Sequence, residues 1–184
     1  MKASGKKVLQ LSAAMMVGLV SACAVSPEPD QLRWSDLKGT FFKLEVGSFA
    51  TMDGSTSENY ILRKDSLVIE KFEPRESQGR WKVDLVRQKK YELSEADSKK
   101  LWELVLSTEI TGWKDYYESA PEILGGGYWE STYIADGRIY ESRGSNHYPA
   151  EGGSVYIGSD KRDYIELLLS AFNDFSKVKD QSSE

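Results

Sequence analysis

Two residues of this chain are alone of their type, Cys23 and His147, and both belong to the side chains that carry most nucleophilic and metal chemistry. A disulfide within the chain is impossible, because Cys23 has no second cysteine to meet. A catalytic thiol needs a base, and His147 lies 124 residues further on with no cysteine-hydrolase motif around either residue. With one histidine and one cysteine, a transition-metal site is not expected, and no cofactor is implied. The chain has no Gly-x-Ser-x-Gly and no His-Glu-x-x-His, and Gly125-Gly126-Gly127 lacks the lysine and helix start of a phosphate-binding loop. Asp53-Gly54-Ser55-Thr56-Ser57-Glu58 offers oxygen ligands without the alternating acids of a calcium loop, so it reads as a plain hairpin loop. Carboxylate pairs stay open as a chemistry, since 29 acids allow many pairings in space.

The setting of Cys23 is more telling. Lys2, Lys6 and Lys7 form a basic start, and Val8 to Val20 is an apolar run of 13 residues interrupted by Gln10, Ser12 and Gly18. A spanning helix needs about 20 apolar residues, so this run has the length of a secretion signal. Val20-Ser21-Ala22-Cys23 follows at once and resembles the lipobox of bacterial lipoproteins: an aliphatic residue, two small ones, then cysteine. The resemblance implies cleavage after Ala22, a diacylglyceryl thioether on Cys23 and acylation of the new amino group. Each buried methylene contributes about 0.8 kcal/mol, so two or more acyl chains hold a protein firmly to a bilayer. The expected organisation is a signal over 1–22, a lipid anchor and tether over 23–34, one globular domain over 35–176 and a frayed tail over 177–184. Pro27 and Pro29 keep the tether extended, at about 3 Å per residue. Ala24 in place of an aspartate after the lipidated cysteine fits an outer-membrane position facing the periplasm in a diderm host.

Removing the signal takes away three lysines, leaving 21 basic against 29 acidic residues and a mature charge of 21 − 29 = −8. Nucleic-acid affinity rests on Lys and Arg displacing counterions from phosphates. An acidic chain with no long basic run excludes nucleic acid as a partner.

The rest of the chain must build what positions any site. Phe42, Leu44 and Val46 alternate with Lys43 and Glu45, the period of a half-buried strand. Residues 60–63 and 67–72 flank a tight polar turn at Lys64-Asp65-Ser66, and Trp81, Val83 and Leu85 mark a fourth strand. Ser94 and Asp97 then start a helix that runs to about Thr108. An aromatic loop fills 110–127, Ala135-Asp136-Gly137 turns a hairpin between 128–134 and 138–142, and Asp160 is placed to cap a helix over 164–175. The order ββββαββα argues an α+β fold: an antiparallel sheet of about six strands with two helices on one face.

From Trp129 through Asp136-Gly137 to Gly144-Ser145-Asn146-His147-Tyr148-Pro149, the chain is similar to a recurring segment of uncharacterised bacterial secreted and lipoprotein domains. That resemblance implies no activity. Read physically, Gly144 takes a positive φ, Asn146 bonds its own turn, Tyr148 closes the core and His147 points outward. The functional counterpart is a binding surface of Trp113, Tyr117, Arg143, Asn146, His147 and Tyr148, whose rings and amide suit a glycan or a peptide. Three classes follow: a non-enzymatic envelope lipoprotein that binds a partner protein or envelope polymer, a hydrolase using paired carboxylates, or an inhibitor or immunity-type lipoprotein.

Overall fold

The computed structural model describes residues 37–48, 56–77, 80–118, 126–161 and 163–182. Cys23, Ala22 and the tether lie outside them, as do Asp53, Gly54 and Ser55 of the loop considered for calcium. The elements are β1 (Phe41–Ser48), β2 (Ser57–Arg63), β3 (Ser66–Ser77), β4 (Arg80–Glu92), α1 (Glu95–Ser107), β5 (Tyr116–Tyr117), β6 (Gly127–Ala135), β7 (Arg138–Ser145), β8 (His147–Ala150), β9 (Gly153–Tyr156) and α2 (Tyr164–Gln181). A 3₁₀ turn, Ile110–Gly112, follows α1.

The fold is mixed α+β. Seven strands form one sheet in the order β4-β3-β2-β1-β6-β7-β5, and β8 with β9 makes a separate two-stranded ribbon. Pairing is antiparallel throughout except where β5 runs parallel to β7. Among the described residues, nine strands therefore replace the six expected. The three additional ones, β5, β8 and β9, have only two to four residues each, too few to show a period.

Alternation decides which face is dry. Phe42 pairs with Leu62 and Tyr133, and Leu44 with Tyr60, so these side chains project from one face. Both helices pack there: Phe172 of α2 lies 6.2 Å from the Phe42 ring and 5.8 Å from the Tyr60 ring, and Trp102 of α1 lies 6.3 Å from Tyr133. The Trp102 indole donates to the Arg63 carbonyl at 3.4 Å, which meets the one polar need of a fully buried ring. The opposite face carries Glu130, Glu45, Asn59, Glu70 and Gln88 side by side in register, a polar row in which Asn59 and Gln88 both donate to Glu70.

Local signals explain most boundaries. Ser94 accepts from the Asp97 amide at 3.1 Å and caps α1. Asp136 and Gly137 take left-handed φ values of 51° and 71°, the geometry of a two-residue hairpin turn between β6 and β7. Two expectations need correction. The cap of α2 is Asp163, whose carboxylate accepts from the Glu166 amide at 2.7 Å; Asp160 is too far ahead of the first turn to reach it. The stretch expected to fray is helical through Gln181, because tertiary contacts hold it: Lys179 to Asp97 at 2.9 Å, and Lys89 and Tyr91 to Asp180 at 2.5 and 3.2 Å.

A third difference concerns Val83 and Leu85. Their alternation does mark a strand, but both are about half exposed. β2 stops pairing with β3 at Ser57–Phe72, while β3 and β4 continue to Ser77 and Arg80. This end of the β3–β4 hairpin overhangs the sheet.

Phe172→Ala should lower the unfolding free energy by about 3 to 5 kcal/mol in urea titrations, as truncation of a large buried ring does. Deleting residues 177–184 should lower the melting temperature at pH 7. Asp97 is held below its ordinary value of 3.8 by its hydrogen bond from Lys179, then by that with Ser94. A depressed carboxylate stabilises the fold above its unfolded pKa and loses that contribution as the pH falls through the folded value. The gap between the full and shortened chains should therefore narrow below about pH 3.8. A gap of constant size would show that the tail contacts are not electrostatic.

Candidate functional site

The six residues proposed to form a surface lie around the junction of β6, β7 and the β8–β9 ribbon. Trp129 of β6 is at its centre, 1% exposed. Trp113 meets its ring edge-on at 5.8 Å, Tyr117 lies against it at 5.5 Å, and its indole donates to the His147 carbonyl at 2.9 Å. Gly144 is required by this approach: a Cβ there would sit 2.6 Å from the His147 oxygen and 2.7 Å from the Trp129 indole nitrogen. The glycine therefore serves closeness, and the positive φ expected of it belongs instead to Asn146, at 53°.

Asn146 ties the junction together. It is 1% exposed; its side-chain oxygen accepts from the Gly127 amide at 3.0 Å, its own amide donates to the Gly127 carbonyl at 3.1 Å, and its carbonyl accepts from Ile157 at 2.9 Å. The side chain thus bonds a distant strand. Gly126, at φ +100°, makes room for it, since a Cβ there would lie 1.9 Å from the Asn146 oxygen. The Gly-Ser-Asn-His-Tyr-Pro segment is consequently no open turn. β7 runs through Ser145, one left-handed residue reverses the side-chain sense, and β8 starts at His147.

That reversal turns His147 inward, contrary to the sequence expectation, and leaves it 9% exposed. Its Nδ1 lies 2.8 Å from the Glu118 carbonyl and its Nε2 2.8 Å from the Ser154 hydroxyl. A carbonyl can only accept, so Nδ1 carries the proton in the neutral ring, and Ser154 donates to Nε2. Tyr156 stacks on the ring at 4.0 Å and Tyr117 meets it edge-on at 5.5 Å. Tyr148 points to the other side of β8, where it is only half-buried. There it lines a cavity of about 320 Å³ with Val155, Lys161, Asp163 and Leu169. Burial raises the pKa of both the Tyr148 hydroxyl and the Asp163 carboxyl.

Of the six candidates, the structure gathers Trp113, Tyr117, Asn146 and His147 into one cluster, but as interior packing. The Trp113 indole donates to Thr108 at 2.7 Å, and the Tyr117 hydroxyl accepts from the Lys114 amide at 3.2 Å. Arg143 is the one that faces solvent; its guanidinium lies 5.7 Å over the ring of Tyr116, itself 54% exposed. Among the described residues, no three of His, Cys, Asp and Glu converge to hold a metal ion.

The sequence reading missed the exposed apolar side chains elsewhere. Val83, Leu85 and Val86 on β4 are each about half exposed. The signal was present as a strand pattern, but alternation cannot tell whether anything covers the face it defines. No family model matches this chain, and no match to it is found among curated proteins.

The cluster makes a stability prediction. His147→Ala should cost about 2 to 4 kcal/mol, through two lost hydrogen bonds and a packed ring, and Asn146→Ala about 1 to 3 kcal/mol for the buried groups left unpaired. Arg143→Ala should stay within about 0.5 kcal/mol of wild type. Denaturant midpoints of the three variants test this ordering; a His147→Ala protein as stable as wild type would remove the ring from the list of structural supports.

Proposed function

We propose that this chain is a bacterial envelope lipoprotein, cleaved after Ala22, lipidated on Cys23, and carrying a non-enzymatic domain that binds an envelope protein or polymer. The observation that carries this reading is the lipobox-like Val20-Ser21-Ala22-Cys23 behind a basic start and a short apolar run. Among the described residues, no helix is long and apolar enough to cross a membrane. The acyl chains on Cys23 are the membrane attachment in this reading, with the domain in the periplasm of a diderm host. The internal use of Trp113, Tyr117, Asn146 and His147 also favours a binding role seated elsewhere on the domain.

One contact supports a hydrolase as the second reading. Ser154, His147 and the Glu118 carbonyl stand in the order nucleophile, base and orienting acceptor, with both links at 2.8 Å. Against it, the imidazole is nearly enclosed and is stacked beneath Tyr156. Incubation with a fluorophosphonate separates the two readings: the binding reading expects no adduct, and an adduct on Ser154 that disappears in His147→Gln would establish the hydrolase.

Intact-mass measurement of protein extracted from membranes should show loss of residues 1–22 and added acyl mass on Cys23. Cys23→Ser should appear in the soluble fraction or keep its signal. An unmodified Cys23 in membrane-derived wild type would end the lipoprotein reading.

A further inference from the structure

The sheet has two edges, and they are treated differently. At one end β5 pairs with β7, the Asp115 carbonyl accepts from the Arg143 amide at 3.2 Å, and the Ser142 hydroxyl donates to the Lys114 carbonyl. At the other end stands β4, 13 residues long, with β3 on one side and no strand on the other among the described residues. Among the described residues, alternate N–H and C=O groups along its outer side thus have no strand to pair with, the arrangement onto which an extended peptide can add as a further strand.

The side chains of β4 add chemistry to that edge. Val83 is 54%, Leu85 49% and Val86 51% exposed. Val83 and Leu85 stand opposite Pro74 and Phe72 on one face of the overhanging ribbon. Lys82 on the same strand and Arg87 past the bulge occupy the other face and make no ion pair among the described residues. Between residues 82 and 92 the strand carries Lys82, Arg87, Lys89 and Lys90 against Asp84 and Glu92, a surplus of two positive charges on a chain whose net charge is −5.

Resting on the binding reading above, we propose that the free edge of β4 docks an extended acidic polypeptide segment of an envelope partner, apolar residues of that segment lying beside Val83 and Leu85 and carboxylates facing Lys82 and Arg87. The charge also argues against a second copy of this chain: two β4 edges brought together would oppose like charges, and the bulge between Lys71 and Phe72, which twists the ribbon, further deters flat self-pairing. An acidic strand meets the reverse situation, since opposite charges across a ladder attract and steer association.

The test uses the full chain in detergent and a labelled ten-residue peptide of alternating Val and Glu, followed by fluorescence anisotropy. Wild type should bind it; Lys82→Glu with Arg87→Glu should weaken binding at least tenfold, while circular dichroism and melting of the variant confirm its fold. A Val-Lys peptide should not bind. Methylating alternate peptide nitrogens removes the backbone donors but keeps every charge, and this too should weaken binding at least tenfold. Equal affinity of methylated and unmethylated peptides, unchanged affinity of the double variant, no binding to wild type, or a second copy crosslinked through a photoreactive residue at position 83 would each overturn the proposal. If peptide binding fails while an envelope protein is crosslinked through another face, the β4 site is wrong and the binding reading stands. An unmodified Cys23 with intact peptide binding has the opposite meaning, removing the anchor and keeping the edge.

Discussion

Asn146 holds the chain where the main sheet gives way to the ribbon, and much of the domain's aromatic end depends on that one left-handed residue. Its φ of 53° changes the side-chain sense between β7 and β8. Its bonds to Gly127 and Ile157 fasten the start of β6 to the residue that follows β9, two points 30 residues apart in sequence. Without the reversal, His147 would leave the interior, and its carbonyl would no longer meet the Trp129 indole. Trp113, Tyr117 and the Glu118 carbonyl are assembled around those two rings. Gly126 and Gly144 are then fixed by space, because each faces an atom of this junction closer than any Cβ could stand.

What the sequence made legible was set locally. Phe42, Leu44 and Val46 show their strand by alternation, Ser94 and Asp97 show a helix start, and Asp136-Gly137 shows a hairpin turn. Each rests on neighbours within a few residues. What stayed hidden was decided by distant partners. β5 is a strand only because Arg143 and Gly144 lie beside it, and the last turns of α2 are held by Asp97, Lys89 and Tyr91 from far along the chain. The site fared the same way. Trp113, Tyr117, Asn146 and His147 do come together, as their types suggested, but the side to which His147 pointed turned on the backbone sign of Asn146.

The acidic total of the chain conceals an uneven distribution. The polar row across the sheet face away from the helices carries Glu130, Glu45 and Glu70, while β4 collects lysine and arginine at the edge. Lys89 is partly neutralised by Asp180, but Lys82 and Arg87 are not paired among the described residues. Basic residues on an edge strand repel copies of themselves, so the same charges that disfavour pairing of two β4 edges define the sign of what could pair there.

Binding capacity resides in groups that the fold has not already used. His147 has both ring nitrogens bonded, Asn146 has its oxygen committed to Gly127, and the Trp113 and Trp129 indoles have each found a carbonyl. Offering any of these to a partner would first break a buried hydrogen bond, at a cost of about 1 to 3 kcal/mol for each group left unpaired. The outer side of β4 is in the opposite condition. Among the described residues its outer backbone donors and acceptors meet no strand, so an added strand would pair them and gain the burial of Val83, Leu85 and Val86. The aromatic junction is therefore the part of the molecule that holds shape, and the docking proposed for β4 draws on an edge strand that this junction does not use.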